Sequence, residues 1–300
     1  MAFRNVVVSK TSALSLEQNN MKLVQEDMSL TIPICDISTL MIDARSQISS
    51  SLLVALAEND VAVYICNDKH LPTTISLPFQ SHNKQFKRIE EQLSISKPLQ
   101  KQLWQKIIVA KISNQAEVLG LIGYEVESKK LRNFAGQVNS GDTLNIEAIA
   151  ANSYFRTLFG DKFSRDQENN INSFLNYGYS ILRGLVARNL VIYGFLPSIG
   201  IWHHNQYNNF NLADDVIEPF RPIIDLFVVK NLEIFTVLDP KSKKLLWNIP
   251  ALDTLISKKK QTLNNAIEIL VQSLVSSIQN DSSEYLSLPQ AIEIQIHQYE

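Results

Sequence analysis

NNINSFLNYGYSILRGLVARNLVIYGFLP, residues 169–197, decides how the rest of the chain must be arranged. The run is too long for a strand and ends at a proline, so it reads as one helix from about Asn169 to Phe195. A helix that is apolar nearly all round has to be covered by other elements. One seam breaks the apolar pattern: Asn172, Asn176, Tyr179 and Arg183 fall at i, i+4, i+7 and i+11. Polar groups on a buried helix need partners. The stripe therefore lines a solvent- or ligand-filled site or belongs to a buried structural network, and spacing leaves both open.

The covering elements are legible on either side. From Ser96, KPLQKQLWQKIIVAKISNQAEVLGLI reads as a long helix with Leu103, Ile107, Ala110 and Asn114 on one stripe. Lys101, Lys106 and Lys111 lie elsewhere around it, where lysines are solvated by default. A further helix starts at Asp142 or Thr143, runs through LNIEAIAANSYFRTLF and stops at Gly160. SKKKQTLNNAIEILVQSLVSSIQ is a late amphipathic helix, with Ser257–Lys260 as a solvated entrance or a DNA contact. VVKNLEIFTVLDPKSKKLLWNIP holds a short hairpin around Asp239-Pro240.

The first 80 residues differ. NVVVS, ALSLEQ, MKLVQ, LTIPICDI and TLMID read as short strands, with Asn19-Asn20 as a turn. SSLLVALAEND is a serine-capped helix leading into the buried strand VAVYICN. LPFQSHNKQFKRIEEQLS is polar, carries a proline and has no apolar period, as a linker or exposed connection would. The expected organisation is α+β with two domains: residues 1–80 β-rich, 81–95 a linker, and 96–300 helical.

Composition bounds the function loosely. A net charge of −2 and 45% hydrophobic residues describe a soluble globular chain and exclude a basic coat for nucleic acid. They leave room for a nucleic-acid enzyme with a local basic face. Cys35 and Cys66 sit in strand-like runs as small core residues of a reducing compartment, with no paired-cysteine zinc or redox motif. The N-terminus MAFRNVVVSK lacks a signal peptide's apolar core, and the apolar run Leu185–Leu196 is too short to span a bilayer. A soluble, cytoplasmic protein with no membrane partner is expected.

Chemistry concentrates in IWHHNQYNNFNLADDVIEPFRP, residues 201–222, which holds two of the five histidines and three acids within five residues. On one straight helix His203 and Glu218 would lie roughly 22 Å apart and share no ligand. Asn205–Asn211 suits turns, however, so Asn211 can cap a new helix carrying Asp214, Asp215 and Glu218. Pro219 then kinks or breaks it. Asp214 and Asp215 are either site residues or helix-start acids on a solvated face. Glu147, among the alanines of NIEAIAA, is either merely exposed or a ligand in a place where something bulky approaches the backbone.

NIEAIAANSYFRTLFG, NSFLNYGYSILRG and GIWHHNQYNNFNLADDVIEPFRP resemble, in order and spacing, the signature blocks of the CRISPR-associated adaptation integrases, the first-numbered Cas proteins. HLPTTISLPF at 70–79 and LWQKIIVAKISNQ at 103–115 resemble the type II-A branch. The likeness runs from the first strand to about residue 226; beyond that no block is matched. It implies a β-sandwich-like N-terminal dimerisation domain followed by a larger all-α catalytic domain. It implies a metal triad of Glu147, His203 and Glu218, the spacing of fifteen selecting His203 over His204. Two carboxylates and an imidazole suit Mg²⁺ or Mn²⁺, and zinc would accept them too.

The implied reaction is insertion of short spacer DNA into the CRISPR array. A 3′-hydroxyl attacks a leader-repeat phosphodiester by transesterification, and hydrolysis is the same step with water as nucleophile. The implied partners are a second copy in a homodimer, a dimer of the second, smaller Cas adaptation protein, double-stranded prespacer DNA, leader-repeat DNA and, from the type II-A likeness, the effector nuclease complex. Asp215, Asn176 and Tyr179 are candidates for support around the metal. Tyr154, Arg156, Lys162, Arg165, Arg183, His204 and Arg221 are candidates for DNA contact, each with packing, pairing or solvation as the alternative. The rival readings are a structure-specific metal-dependent endonuclease that never joins DNA and a DNA-binding scaffold with a decayed site.

Overall fold

The computed structural model describes residues 4–26, 28–67, 72–78 and 84–296. The early chain gives β1 (Arg4–Val8), β2 (Ala13–Glu17), β3 (Asn20–Gln25), β4 (Met28–Pro33), β5 (Ile37–Ile42), β6 (Gln47–Ile48), helix α1 (Ser50–Glu58), β7 (Ala62–Cys66) and β8 (Pro72–Ser76). The strands make two four-stranded sheets, ordered β1-β5-β7-β8 and β4-β3-β2-β6. In the first, β1, β5 and β7 run parallel and β8 closes the edge antiparallel. The β2–β3 turn sits on Gln18 and Asn19, both at positive φ (47° and 62°), one residue earlier than expected. Asn20 already pairs with Glu17, and two positive-φ residues give the turn whose twist suits a hairpin.

Alternation along two strands divides the interior. Leu40 and Ile42 of β5 and Val63 of β7 join Leu14, Met21 and Leu23 of the other sheet in one small core. Met41, Ala62 and Tyr64, pointing the opposite way, join the large helical core. The β1-β5-β7-β8 sheet is thus a wall with a core on each face, which is why every residue of β5 is buried.

The helices are α2 (Gln85–Leu93), α3 (Lys97–Leu121), α4 (Glu125–Ala135), α5 (Ile146–Phe159), α6 (Asn170–Ile192), α7 (Asn211–Ile217), α8 (Arg221–Lys230), α9 (Pro240–Leu246) and α10 (Leu263–Gln279). Ser96 caps α3 and Asn169 caps α6, accepting from the backbone N–H of Leu99 and Asn172 respectively. As its sequence requires, α6 is the buried axis, with Phe174, Leu175, Ile181, Leu182, Leu185 and Val186 fully covered. Tyr64 fixes this helix to the sheet: its hydroxyl donates to the Ile181 carbonyl at 3.2 Å, and its ring lies where a side chain at Gly184 would project.

Five expectations are corrected. Residues 85–93 of the expected linker are a helix, whose Gln92 side chain donates to the carbonyls of Leu196 and Ile199 and accepts from the Leu196 N–H. Its contacts with the end of α6 are polar, so no apolar period announced it; residues 81–83 lie outside the described set. Asp239-Pro240 starts α9 through a capping box with Ser242 instead of turning a hairpin. The hairpin comes later: β9 (Asp253–Ile256) pairs antiparallel with β10 (Lys259–Thr262). The Ser257–Lys260 run is therefore a turn and strand, not a helix entrance, and the region after residue 96 is not purely helical. Cys35 is exposed and Cys66 half-buried, so neither is a plain core residue. The chain is mixed α and β, about half helical, and no helix among the described residues is long and apolar enough to cross a membrane.

Candidate active site

Two elements bring the expected glutamates together around one cation, and the loop carrying His203 lies close enough to Glu218 for the imidazole to feel its charge. Glu147 stands in the first turn of α5, two residues beyond the left-handed Asn145 (φ 54°). This helix starts later than expected because the Asp142 carboxylate caps it from outside, accepting from the N–H groups of Ile146 (2.9 Å) and Glu147 (3.0 Å). Glu218 opens a 3-10 turn, Glu218–Phe220, between α7 and α8, the break that Pro219 required. The turn is pinned by Asn114 of α3, whose amide donates to the Pro219 carbonyl at 2.7 Å and the Pro289 carbonyl at 3.0 Å.

A lysine lies between the two glutamates. Lys111 of α3 places its ammonium 2.5 Å from Glu147 Oε1 and 2.5 Å from Glu218 Oε2. Two carboxylate oxygens from remote segments thus approach within 5 Å of each other around one cation. The other Glu218 oxygen accepts from Arg221 Nε at 2.8 Å. Burial alone would raise the Glu218 pKa, but Arg221 and Lys111 outweigh it and hold this carboxyl at about 2. Lys111 is buried and not one of the solvated lysines that its place on α3 suggests; in sequence only the LWQKIIVAKISNQ block sets it apart.

His203 is held from behind. Asp215, fully buried, accepts from His203 Nδ1 at 2.6 Å and from His203 N at 3.1 Å with one oxygen. Its other oxygen takes the N–H groups of Ile201 (2.6 Å) and Trp202 (2.9 Å). The turn approaches so closely that a side chain at Gly200 would stand 2.3 Å from the His203 carbonyl oxygen. Trp202 stacks on Trp104, and the His203 ring meets Trp104 edge-on. The bond to Asp215 raises the His203 pKa against the opposing effect of burial, helped by the charges of Glu218 and Asp214. With Nδ1 engaged, Nε2 is the free ring nitrogen, and the ring is 44% exposed.

The remaining candidates separate. Tyr154 is fully buried, which favours packing over DNA contact. Tyr179 donates to the buried Asp225, and its ring lies beneath the guanidinium groups of Arg165 and Arg221. Arg165 bonds Asn172 and Asn176, and Arg183 forms a two-pronged pair with Asp214 at 2.8 and 3.1 Å. The side chains of the α6 polar stripe thus all have partners, while Asn176 stays exposed and Arg183 half-exposed, so the stripe is hydrogen-bonded without being fully buried. Arg156, Lys162 and His204 are exposed. Asp214 and Asp215 are buried, which excludes the solvated-face alternative. Asn211 lies inside α7 and ties the loop, its amide donating to the carbonyls of Ser198, Asn205 and Asn208.

Among the described residues no three His, Cys, Asp or Glu side chains close on a single ligand position. The donor chemistry nonetheless fits a divalent cation. Two hard carboxylate oxygens already share a positive charge, for which the Lys111 ammonium stands in, and an imidazole oriented by Asp215 feels the charge of one of them, Glu218.

Comparison with known proteins identifies first the fold and then the family. Over 99% of the chain and 96% of its counterpart, the structure matches "Casposase bound to integration product" at a TM-score of 0.77 and 19% identity. It matches a CAS1 protein from Thermotoga maritima at 0.71 and 16% identity, over 92% of this chain and 97% of that one. In sequence, the family model "CRISPR associated protein Cas1" matches residues 6–236. The chain is 40% identical to the "CRISPR-associated endonuclease Cas1" of Neisseria meningitidis over the full length of both. It is 30% identical to a Francisella tularensis relative of the same description over 51% of this chain and 55% of that one. The chain belongs to the Cas1 family and is an enzyme of the nuclease and integrase class.

Proposed function

We propose that the protein is a metal-dependent DNA integrase of CRISPR adaptation. It inserts short double-stranded prespacer DNA at the leader-repeat junction of the array. The observation that carries this is the approach of Glu147 and Glu218, 71 residues apart in sequence, around one positive charge beside an imidazole that Asp215 orients. Glu147, Glu218 and His203 Nε2 would hold Mg²⁺ or Mn²⁺. When bound, such an ion acidifies a DNA 3′-hydroxyl and neutralises charge on the phosphate under attack.

The chain's own groups do the rest. Asp215 keeps the proton on Nδ1 and so leaves the Nε2 lone pair available to a ligand. Arg221 and Asn114 fix the Glu218 turn, so the carboxylate is placed before substrate arrives. Exposed Arg156, Lys162 and His204 offer contacts to phosphate around the opening. The attacking 3′-oxygen forms one P–O bond as the leader-strand P–O bond breaks and releases a new 3′-hydroxyl. Bond count is conserved, and no external energy source is required. Water in place of the hydroxyl gives a nick.

Solved structures with this fold include "Cas6-RT-Cas1--Cas2 complex", matched at a TM-score of 0.75 and 17% identity over 97% of this chain and 36% of that one. A homodimer working with a dimer of the second, smaller Cas protein in the cytoplasm is the assembly we assign, with the effector nuclease complex supplying fragments. The type II-A placement rests on the blocks at 70–79 and 103–115, of which residues 70, 71 and 79 lie outside the described set. The test is strand transfer of a labelled duplex into a supercoiled plasmid carrying the array, with the partner supplied. Glu147→Ala and His203→Ala abolish branched, joined products while the dimer still forms. Full transfer by either variant overturns the assignment, and nicks without joined strands identify a hydrolytic endonuclease.

A further inference from the structure

We propose that Lys111 is a built-in cation that holds the two glutamates together until metal and DNA displace it together. The inference rests on the metal-dependent reading above and concerns how the site is loaded. Lys111 projects from α3 between Ile107, Ile108 and Ile112, and its side chain is 11% exposed. Glu147 arrives from α5 and Glu218 from the turn after α7. Two carboxylates this close repel unless a positive charge stands between them. Lys111 supplies that charge, 2.5 Å from an oxygen of each.

An ammonium so placed occupies the position from which a divalent ion would bridge the same oxygens. Both cannot stand there. Metal entry therefore requires the ammonium to move aside, and the displaced cation needs a new partner because its side chain, 11% exposed, reaches little water. A non-bridging oxygen of a DNA phosphate at the site is such a partner, and a lysine reaches it by rotating its flexible stem. Metal binding frees Lys111 for the phosphate, and phosphate binding draws Lys111 off the carboxylates. The two ligands thus favour each other, and thermodynamic linkage makes the coupling reciprocal. Without DNA, the ammonium keeps the site closed to metal and so holds down stray hydrolysis.

The experiment measures Mn²⁺ binding by electron paramagnetic resonance on full-length wild type and Lys111→Met. Each is measured alone and with a DNA duplex lacking 3′-hydroxyls, so that no transfer occurs. Wild type is expected to bind Mn²⁺ weakly alone and at least tenfold tighter with DNA. Lys111→Met is expected to bind at least tenfold tighter than wild type alone and to gain less than twofold from DNA. Lys111→Gln, which keeps an N–H donor but no charge, guards against a folding defect and is expected to rank with Lys111→Met. Equal affinities for wild type and both variants, with an equal effect of DNA, overturn the proposal and leave the metal-dependent reading standing. Failure of all three to bind Mn²⁺ at millimolar concentration overturns that reading, and the proposal with it.

Discussion

Replacing Asp215 by asparagine tests a buried carboxylate that accepts from four donors. Its two oxygens accept four donors: His203 Nδ1 and His203 N on one, the N–H groups of Ile201 and Trp202 on the other. Asparagine has almost the same shape but only one acceptor oxygen and two donors of its own. If the amide nitrogen faces His203, Nδ1 must accept, the ring proton passes to Nε2, and the lone pair needed at the site is lost. If it faces Ile201 and Trp202, donors confront donors and the 200–203 turn opens. In either orientation two of the four bonds go. At about 1.5–3 kcal/mol for each bond to a charged group, the loss of stability is about 3–6 kcal/mol. The affinity for Mn²⁺ is expected to fall about 10–100-fold, as for other groups that orient a ligand from behind. Urea unfolding measures the first effect and manganese binding the second. Nitrogen-15 shifts of the imidazole, assigned with a His203→Gln control, report the tautomer. A variant with unchanged His203 tautomer and strand transfer within twofold of wild type would refute the assigned role of Asp215.

Gly184→Ala would place a methyl group 2.1 Å from the Tyr64 ring. Overpacking of about 1–3 kcal/mol or more then outweighs the roughly 1 kcal/mol that alanine gains in a helix, and thermal unfolding should show net destabilisation, partly relieved by adding Tyr64→Leu. An increase in stability would mean that the sheet and α6 are less firmly fitted than described. Asp225 supplies a pH signature: burial raises its pKa from 3.8 to about 6 against the lowering effects of Tyr179 and Arg165. A raised folded-state pKa contributes stability below pH 3.8 that is lost as pH rises through 6, about 3 kcal/mol at roughly 1.4 kcal/mol per unit. Asp225→Asn should therefore gain on wild type between pH 4 and pH 7.5 in urea titrations, and parallel curves for the two proteins would refute the shift.

The parts of the chain that were legible in sequence obey local rules. The buried length of α6, the serine caps of α1 and α3, and the break at Pro219 each follow from a few neighbouring residues. What was illegible depends on distant partners. Lys111 reads as a solvated lysine because Glu147 and Glu218 lie 36 and 107 positions further along. Asn114 reads as one step of an apolar stripe, yet it holds the turn beside Glu218. The α2 helix is silent in the sequence pattern because it docks through amide and guanidinium groups, which leave no apolar rhythm. The β9–β10 hairpin is silent for a related reason: its lysines look like a helix entrance until Asp253 is seen to pair with Lys260. Glu147, His203 and Glu218 stood out only through the family blocks, since no spacing rule singles out three ligands drawn from three segments.

The β1-β5-β7-β8 sheet, with a core on each face, has a mechanical consequence. A hinge needs a seam across which few side chains interlock, and here the opposite holds. Tyr64 enters α6 at Gly184, the Tyr177 hydroxyl meets Met41 Sδ at 3.6 Å, and Arg188 grips the Asp60 carbonyl. A load applied to the strands therefore passes into α6 without slack. Tyr179 and Arg183 sit on that helix and brace Asp225 and Asp214. Whatever docks on the strand layer pushes, through one stiff rod, on the walls of the catalytic region.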